Sequence, residues 1–210
     1  MERRMGIRAA ATALLAAVFF GWLAHTVARG PADRFDLAVR DAVHGWASPQ
    51  LTFAMRGCTL LGSAVVLVPL GAFLAWHLTR AGRRQAAVLL VVAALGGEAL
   101  DQALKLLFER PRPQAFFGLA QPETYSFPSG HSMASCCFYG VLAMLAAERV
   151  RSRARRWAIW AGAAALIACI GFSRIYLGVH YPSDVLGGYL AAVAWLALLH
   201  SVIPLPEPPP

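Results

Sequence analysis

Three clusters of polar residues interrupt an otherwise apolar chain, and their types suit one kind of chemistry. Lys105 and Arg112 form the first, Ser129-Gly130-His131 the second, and Arg174, His180 and Asp184 the third. Lys105, Arg112 and Arg174 offer three cations to an oxyanion. Arginine grips phosphate oxygens in a fork, whereas lysine acts as a point charge. Ser129 and Gly130 stand where a helix is expected to begin, and free N–H groups and the positive end of the helix dipole attract phosphate there. Gly130 also lets backbone approach a ligand closely. His180 and Asp184 are four residues apart, a spacing that allows the carboxylate to hold one ring nitrogen, fix the tautomer and stabilise the charged ring. His131 is then free to protonate a leaving oxygen, a role worth roughly 10²–10⁴-fold in rate.

These clusters need rigid elements to hold them, and the composition indicates which. Hydrophobic residues make up 58% of the 210 residues, charged residues 14%, and the mean hydropathy is +0.55. A soluble domain carries about 25% charge, so long apolar runs with the charges between them point to a bilayer protein. Apolar segments cover 9–28, 59–78, 85–108, 131–147, 157–172 and 184–203. Only helices or closed barrels satisfy backbone groups in lipid, and no alternating pattern favours a barrel. The expected fold is therefore all-α: one integral membrane six-helix bundle over 1–210, with an interfacial helix or loop between the first two spans. Trp46 and Phe53 in the 29–56 stretch are candidate headgroup-level anchors. The run after Met1-Glu2-Arg3-Arg4 is longer than a signal-peptide core and lacks a clean cleavage site, so it is expected to remain as the first span. No internal repeat or second domain is visible, and the proline-rich end from Pro204 to Pro210 reads as a frayed cytoplasmic terminus.

Charge between the spans sets orientation. Eleven of the nineteen Lys and Arg residues, from Arg3 to Arg8, Arg80 to Arg84 and Arg149 to Arg156, fall on one side of an alternating chain. That side is expected to be cytoplasmic. Alternation then carries all three polar clusters to the opposite face. The net charge of +8 follows from this topology pattern, not from a basic face with interleaved aromatics, so no nucleic-acid partner is expected. Cys58, Cys136, Cys137 and Cys169 contain no CxxC pair, and neither a disulfide framework nor a metal site is expected.

The order Lys105-x6-Arg112-Pro113, Pro128-Ser129-Gly130-His131, then Ser173-Arg174-x5-His180-x3-Asp184 resembles the type 2 phosphatidic acid phosphatase superfamily. The resemblance spans about residues 95–195, with no departure at a motif position. It implies an integral membrane lipid phosphatase in which His180 becomes a phosphohistidine, Asp184 supports it and His131 is the acid. Lys105, Arg112, Ser129, Gly130, His131 and Arg174 would hold the phosphate. It also implies activity without a metal or other cofactor, and a lipid phosphate as partner. An undecaprenyl diphosphate, a phosphatidylglycerol phosphate or a phosphatidic acid is the expected substrate, the first being preferred, at the extracytoplasmic side of the plasma membrane.

Rival readings use the same residues. A lipid phosphotransferase would pass phosphate to an alcohol instead of water. A non-enzymatic lipid-phosphate transporter or receptor would need the cations but not the His180–Asp184–His131 trio. Soluble vanadate-dependent haloperoxidases share the motif pattern, but six spans argue against one. Glu98, Asp101 and Lys105 share a helical face, where Asp101 is expected to neutralise Lys105 and Glu98 to make a structural hydrogen bond. His25, His44, His77 and His200 are expected to be interfacial, as are Phe116, Phe117, Tyr125 and Phe127. Tyr176 and Tyr181 stay open between packing and ligand contact.

Overall fold

The computed structural model describes residues 2–30, 32–120 and 122–202, with side chains from Gly6 onward. The expected cytoplasmic tail, Pro204–Pro210, and the side chains of Arg3 and Arg4 lie outside the described residues. Those described form eight helices and no strand: α1 (Glu2–Arg29), α2 (Ala32–His44), α3 (Pro49–Leu60), α4 (Ala64–Arg80), α5 (Arg84–Phe108), α6 (Gly130–Ala147), α7 (Arg153–Tyr176) and α8 (Pro182–Val202). Five of them, α1, α5, α6, α7 and α8, are long and apolar enough to cross a membrane. A sixth crossing requires α3 and α4 together, and this pair is bent by 42°. The chain is thus a multi-pass membrane protein, and its outward sides carry Leu14, Val18, Trp22, Val65, Val68 and Phe73 exposed, as lipid-facing surfaces do.

The second apolar segment departs from expectation. Its sequence predicts one helix from 59 to 78, but the helix breaks after Leu60 and resumes at Ala64. Leu61 and Gly62 close a turn onto Cys58 and Thr59, and Ser63 adopts an extended N-cap conformation. The cause is tertiary. A Cβ at Gly62 would lie 2.5 Å from Ile170 and 3.5 Å from the His131 ring, so the bend occurs where the chain presses against α6 and α7. The 29–56 stretch is two short helices. Ser48 caps α3 by accepting from the Leu51 amide at 3.2 Å, with Pro49 in the first turn.

Helix α2 departs in part from the pattern of a soluble surface helix. Ala32, Asp36, Arg40 and Val43 form its buried stripe, while Phe35 and Leu37 are exposed. Two charged residues therefore point into the protein and two apolar ones point out, an arrangement favourable only at a lipid boundary.

Helix α6 is central, packing on α5, α7 and α8, while α1 lies along α8. One apolar core joins Leu67 of α4, Leu90 and Ala93 of α5, Phe138 and Val141 of α6 and Leu199 of α8. At the other end α6 and α8 approach so closely that a Cβ on Gly188 would sit 2.6 Å from the Ser129 carbonyl oxygen. Small residues permit such backbone approach in membranes. Phe127, expected at the interface, is instead fully buried, stacked on Phe20 at 5.6 Å and edge-on to Phe108 at 5.2 Å. It wedges the connector before α6 against α1 and α5.

Candidate active site

The C-terminal ends of α5 and α7 and the N-terminal ends of α6 and α8 meet at one end of the bundle. Glu109 takes a left-handed conformation (φ 45°) that stops α5, and prolines 111 and 113 keep the following chain out of a helix. The connector returns through a bond from the Ser126 amide to the Arg110 carbonyl (2.8 Å). The Ser129 amide then donates to the Asp184 carbonyl at 2.9 Å, tying the start of α6 to the start of α8.

All eight expected site residues gather here. Lys105, 4% exposed, pairs with Asp101 one turn earlier on α5. A Cβ at Gly130 would lie 2.9 Å from the Asp101 carboxylate and 3.2 Å from Lys105 Nζ, so glycine lets the first turn of α6 settle against this pair without displacing it. Ser129 is fully buried and its hydroxyl accepts from Ser132 Oγ at 3.0 Å. His131 lies within electrostatic reach of Arg174, His180, Arg112 and Lys105. Arg174 reaches across to α3, donating from NH1 to Thr59 Oγ1 at 2.7 Å, while its buried Nε has no partner among the described residues. Arg112 is held by Thr124, with Nε 2.6 Å from the carbonyl and NH2 2.8 Å from the hydroxyl. Its NH1 group stands 3.0 Å from the Val179 carbonyl and 2.9 Å from His180 Nε2.

The two ring nitrogens of His180 face different surroundings. Nδ1 lies 3.3 Å from Asp184 Oδ2, and Nε2 meets the Arg112 guanidinium. A guanidinium only donates and a carboxylate only accepts. The network therefore assigns the proton to Nδ1 and leaves a lone pair on Nε2. Burial lowers the His180 pKa to about 4, with Arg174 and Arg112 adding to the effect against Asp184. The ring is thus neutral at ordinary pH. Asp184, fully buried, accepts from Ser126 Oγ at 2.5 Å and the Tyr181 amide at 2.8 Å on Oδ2, and from Arg110 NH1 at 2.7 Å on Oδ1.

Arg110, Asp36, Ser126 and Thr124 were not anticipated as part of this cluster. One signal for Arg110 was available: Arg110-Pro111-Arg112-Pro113 forces an extended run that delivers two guanidiniums to the same neighbourhood. Other expectations resolve individually. Glu98 accepts from Gln102 at 2.7 Å. Tyr176 is a buried strut whose hydroxyl meets Thr52 at 2.8 Å, and Tyr181 stacks on Arg110 at 4.2 Å. His44 stacks on Phe116 with ring centres 3.9 Å apart. The four cysteines are free, although Cys58 and Cys169 touch, Sγ to Sγ 2.7 Å. Among the described residues no group of His, Cys, Asp and Glu is arranged to hold a metal ion.

A neutral imidazole with an open nitrogen, backed by a carboxylate and ringed by cations, can attack phosphorus and stabilise the charge that develops on the transferring group. Comparison with known proteins shows the family. Residues 86–206 match the PAP2 superfamily. Phosphatidylglycerophosphatase B of Bacillus subtilis is 31% identical over 173 residues, covering 82% of this chain and 85% of that protein. The putative undecaprenyl-diphosphatase YbjG of Escherichia coli is 28% identical over 152 residues, 66% of this chain and 71% of that one. The crystal structure of a transmembrane PAP2-type phosphatidylglycerolphosphate phosphatase from Bacillus subtilis superposes with a TM-score of 0.82 at 28% identity, covering 90% of this chain and 94% of that one.

Proposed function

This chain belongs to the PAP2 superfamily and is a membrane lipid phosphatase; within that class we propose that it forms a phosphohistidine on His180, at the extracytoplasmic face of the plasma membrane. The observation that carries the mechanism is the split environment of His180, with Nδ1 on Asp184 and an unprotonated Nε2 on the Arg112 guanidinium. In the first step Nε2 attacks phosphorus, an N–P bond forms and the ester or anhydride P–O bond breaks. His131 gives its proton to the leaving oxygen. Arg112 turns from Nε2 onto the phosphoryl oxygens, the unpartnered Nε of Arg174 takes another, and Lys105, the Ser129 hydroxyl and the Gly130 amide complete the cradle. In the second step neutral-ring His131 takes a proton from water, the water oxygen attacks phosphorus, and the N–P bond breaks to release phosphate and restore His180. These side chains neutralise the phosphoryl group without a metal ion. The charge pattern supports the side: with α3 and α4 taken together as one bent crossing, the chain alternates so that the cluster faces away from the arginine-rich loops.

Two headgroups fit this cradle. Undecaprenyl diphosphate is the substrate expected from the sequence. Phosphatidylglycerophosphate is favoured by the likeness to the Bacillus subtilis phosphatase over most of both chains. The deciding experiment is phosphate release from a panel of lipid mono- and diphosphates by purified protein in detergent, with excess chelator and with vanadate. Turnover is expected to survive the chelator, to be blocked by vanadate, a mimic of the transferring group, and to vanish with acid-labile protein labelling in His180→Ala. Phosphoenzyme accumulating in that variant would refute the assignment. The side of the membrane is tested by a cysteine at exposed Glu123 in a cysteine-free background: an impermeant thiol reagent is expected to label it from outside.

A further inference from the structure

Arg110 is a buried cation with several partners, and the mechanism above leaves it unused. It is buried to 8% exposure, its NH1 bonds both Asp184 Oδ1 and Ser183 Oγ at 2.7 Å, and its NH2 bonds Asp36 Oδ2 at 2.7 Å. Asp33, more exposed, stands 3.4 Å away, and the Tyr181 ring covers the guanidinium. The Arg110 carbonyl anchors the Ser126 amide, and the Ser126 hydroxyl in turn donates to Asp184. One residue therefore grips the Asp184 carboxylate at both oxygens, directly at Oδ1 and through Ser126 at Oδ2.

Asp36 is fully buried on α2, where it also accepts from the Ser183 amide at 2.9 Å and from the Ser183 hydroxyl. An ion pair this deep is costly to desolvate and is weak as a device for stability alone. Its geometry suits a different purpose. The forked guanidinium fixes direction as well as charge, so the position of α2 is transmitted to the first turn of α8.

We propose that Arg110, anchored by Asp36, is a positioning residue for phosphoryl transfer: it holds Asp184 in the orientation that keeps His180 aligned, and so makes docking of the interfacial helix α2 a condition of chemistry, not of substrate binding. The proposal rests on the roles given above to His180 and Asp184. Arg110 is suited to this because it touches neither His180 nor the space before Nε2. Burial pulls its pKa down, but Asp184 and Asp36 outweigh burial and hold it above the usual arginine value. The groups facing His180 are Asp184 from α8, Arg174 from α7, His131 from α6 and Arg112 from the connector, with the Lys105–Asp101 pair of α5 beyond His131. Asp36 of α2 acts on the ring at second hand, through Arg110 and through Ser183, both of which hold the start of α8 at Asp184.

The test is steady-state kinetics of full-length Arg110→Gln, Arg110→Lys and Asp36→Asn on a lipid phosphate in detergent across pH, with thermal unfolding alongside. For Arg110→Gln, kcat is expected to fall about 10–100-fold, as when outer partners of a catalytic group are removed, while KM stays within about threefold. Asp184 then loses its counter-charge, so the acid limb of kcat/KM should move to higher pH. Asp36→Asn should also lower kcat, but removing a negative charge cannot raise that limb. Arg110→Lys should keep the limb in place and recover part of kcat. Equal losses in kcat and KM that follow the unfolding temperature, or an upward limb in both Arg110→Gln and Asp36→Asn, would overturn the proposal. If Arg110→Gln does not assemble, Arg110→Lys and Asp36→Asn carry the same comparison. Failure of the underlying reading looks different: wild-type protein would then turn over without labelling His180.

Discussion

Replacing Asp184 by asparagine changes one atom in a site where four donors converge. Oδ1 accepts from Arg110, and Oδ2 accepts from Ser126, the Tyr181 amide and His180 Nδ1. An amide has only one acceptor oxygen, so either orientation creates a conflict. With the new NH2 group towards Arg110, two donors oppose each other and the buried cation loses one of its two buried counter-charges, keeping Asp36. With it towards Tyr181 and His180, Nδ1 must become an acceptor, the proton moves to Nε2, and the lone pair needed for attack is gone. A buried donor left unmatched costs about 1–3 kcal/mol, and a lost hydrogen bond to a charged group about 1.5–3 kcal/mol. Together that is roughly 3–6 kcal/mol, or about 10²–10⁴ in rate. The fold should stand, because Arg110 keeps Asp36 and Ser183. The assay is phosphate release by purified Asp184→Asn, with rapid-quench trapping of the phosphoenzyme and a melting curve. A kcat within tenfold of wild type, in a protein with normal thermal stability, would show that Asp184 does not orient His180.

Three further outcomes follow from the same geometry. Protonation silences His180 and burial lowers its pKa to about 4; kcat/KM, which reports the free enzyme, should therefore persist from pH 7 to 5 and fall only through about 4, once substrate ionisation is measured separately. An acid limb near 6.5 would contradict this. His131→Ala should slow an alkyl phosphate by about 10²–10⁴-fold but a nitrophenyl ester far less, and equal losses on both would remove His131 from the acid role. Gly188→Ala would place a Cβ 2.6 Å from the Ser129 carbonyl and 3.2 Å from the Met133 amide nitrogen, both backbone atoms. It should cost about 1–3 kcal/mol of stability and raise KM, read by melting and kinetics; an unchanged melting temperature would mean the helices yield there.

The motif residues were legible because their positions are local to helix ends. His180 and Asp184 share a turn, Ser129-Gly130 opens α6, and apolar runs mark the spans on either side. Asp36 was illegible for a physical reason. Its partners lie 74 and 147 residues away, and its helix turns charge inward and Phe35 outward, the reverse of the pattern that makes an acidic residue look solvated. The break at Gly62 was hidden in the same way: Thr59 to Leu78 reads as one apolar helix, and only contact with Ile170 and His131 bends it. Phe127 looked interfacial beside Tyr125, yet Phe20 of α1 covers it, a contact no short window of sequence contains.

The bond between Arg112 and His180 Nε2 makes the resting site guard itself. The nitrogen that would attack phosphorus is capped by a guanidinium, and that guanidinium is tethered to Thr124 and Val179. A neutral electrophile drifting in from the bilayer meets an occupied lone pair and has no charge with which to draw Arg112 aside. A phosphate dianion has two oxygens in reach of the fork and attracts it more strongly than an uncharged imidazole does. In the proposed mechanism the same movement that grips the substrate uncovers the atom that reacts with it, so the site becomes reactive only in the presence of an anion.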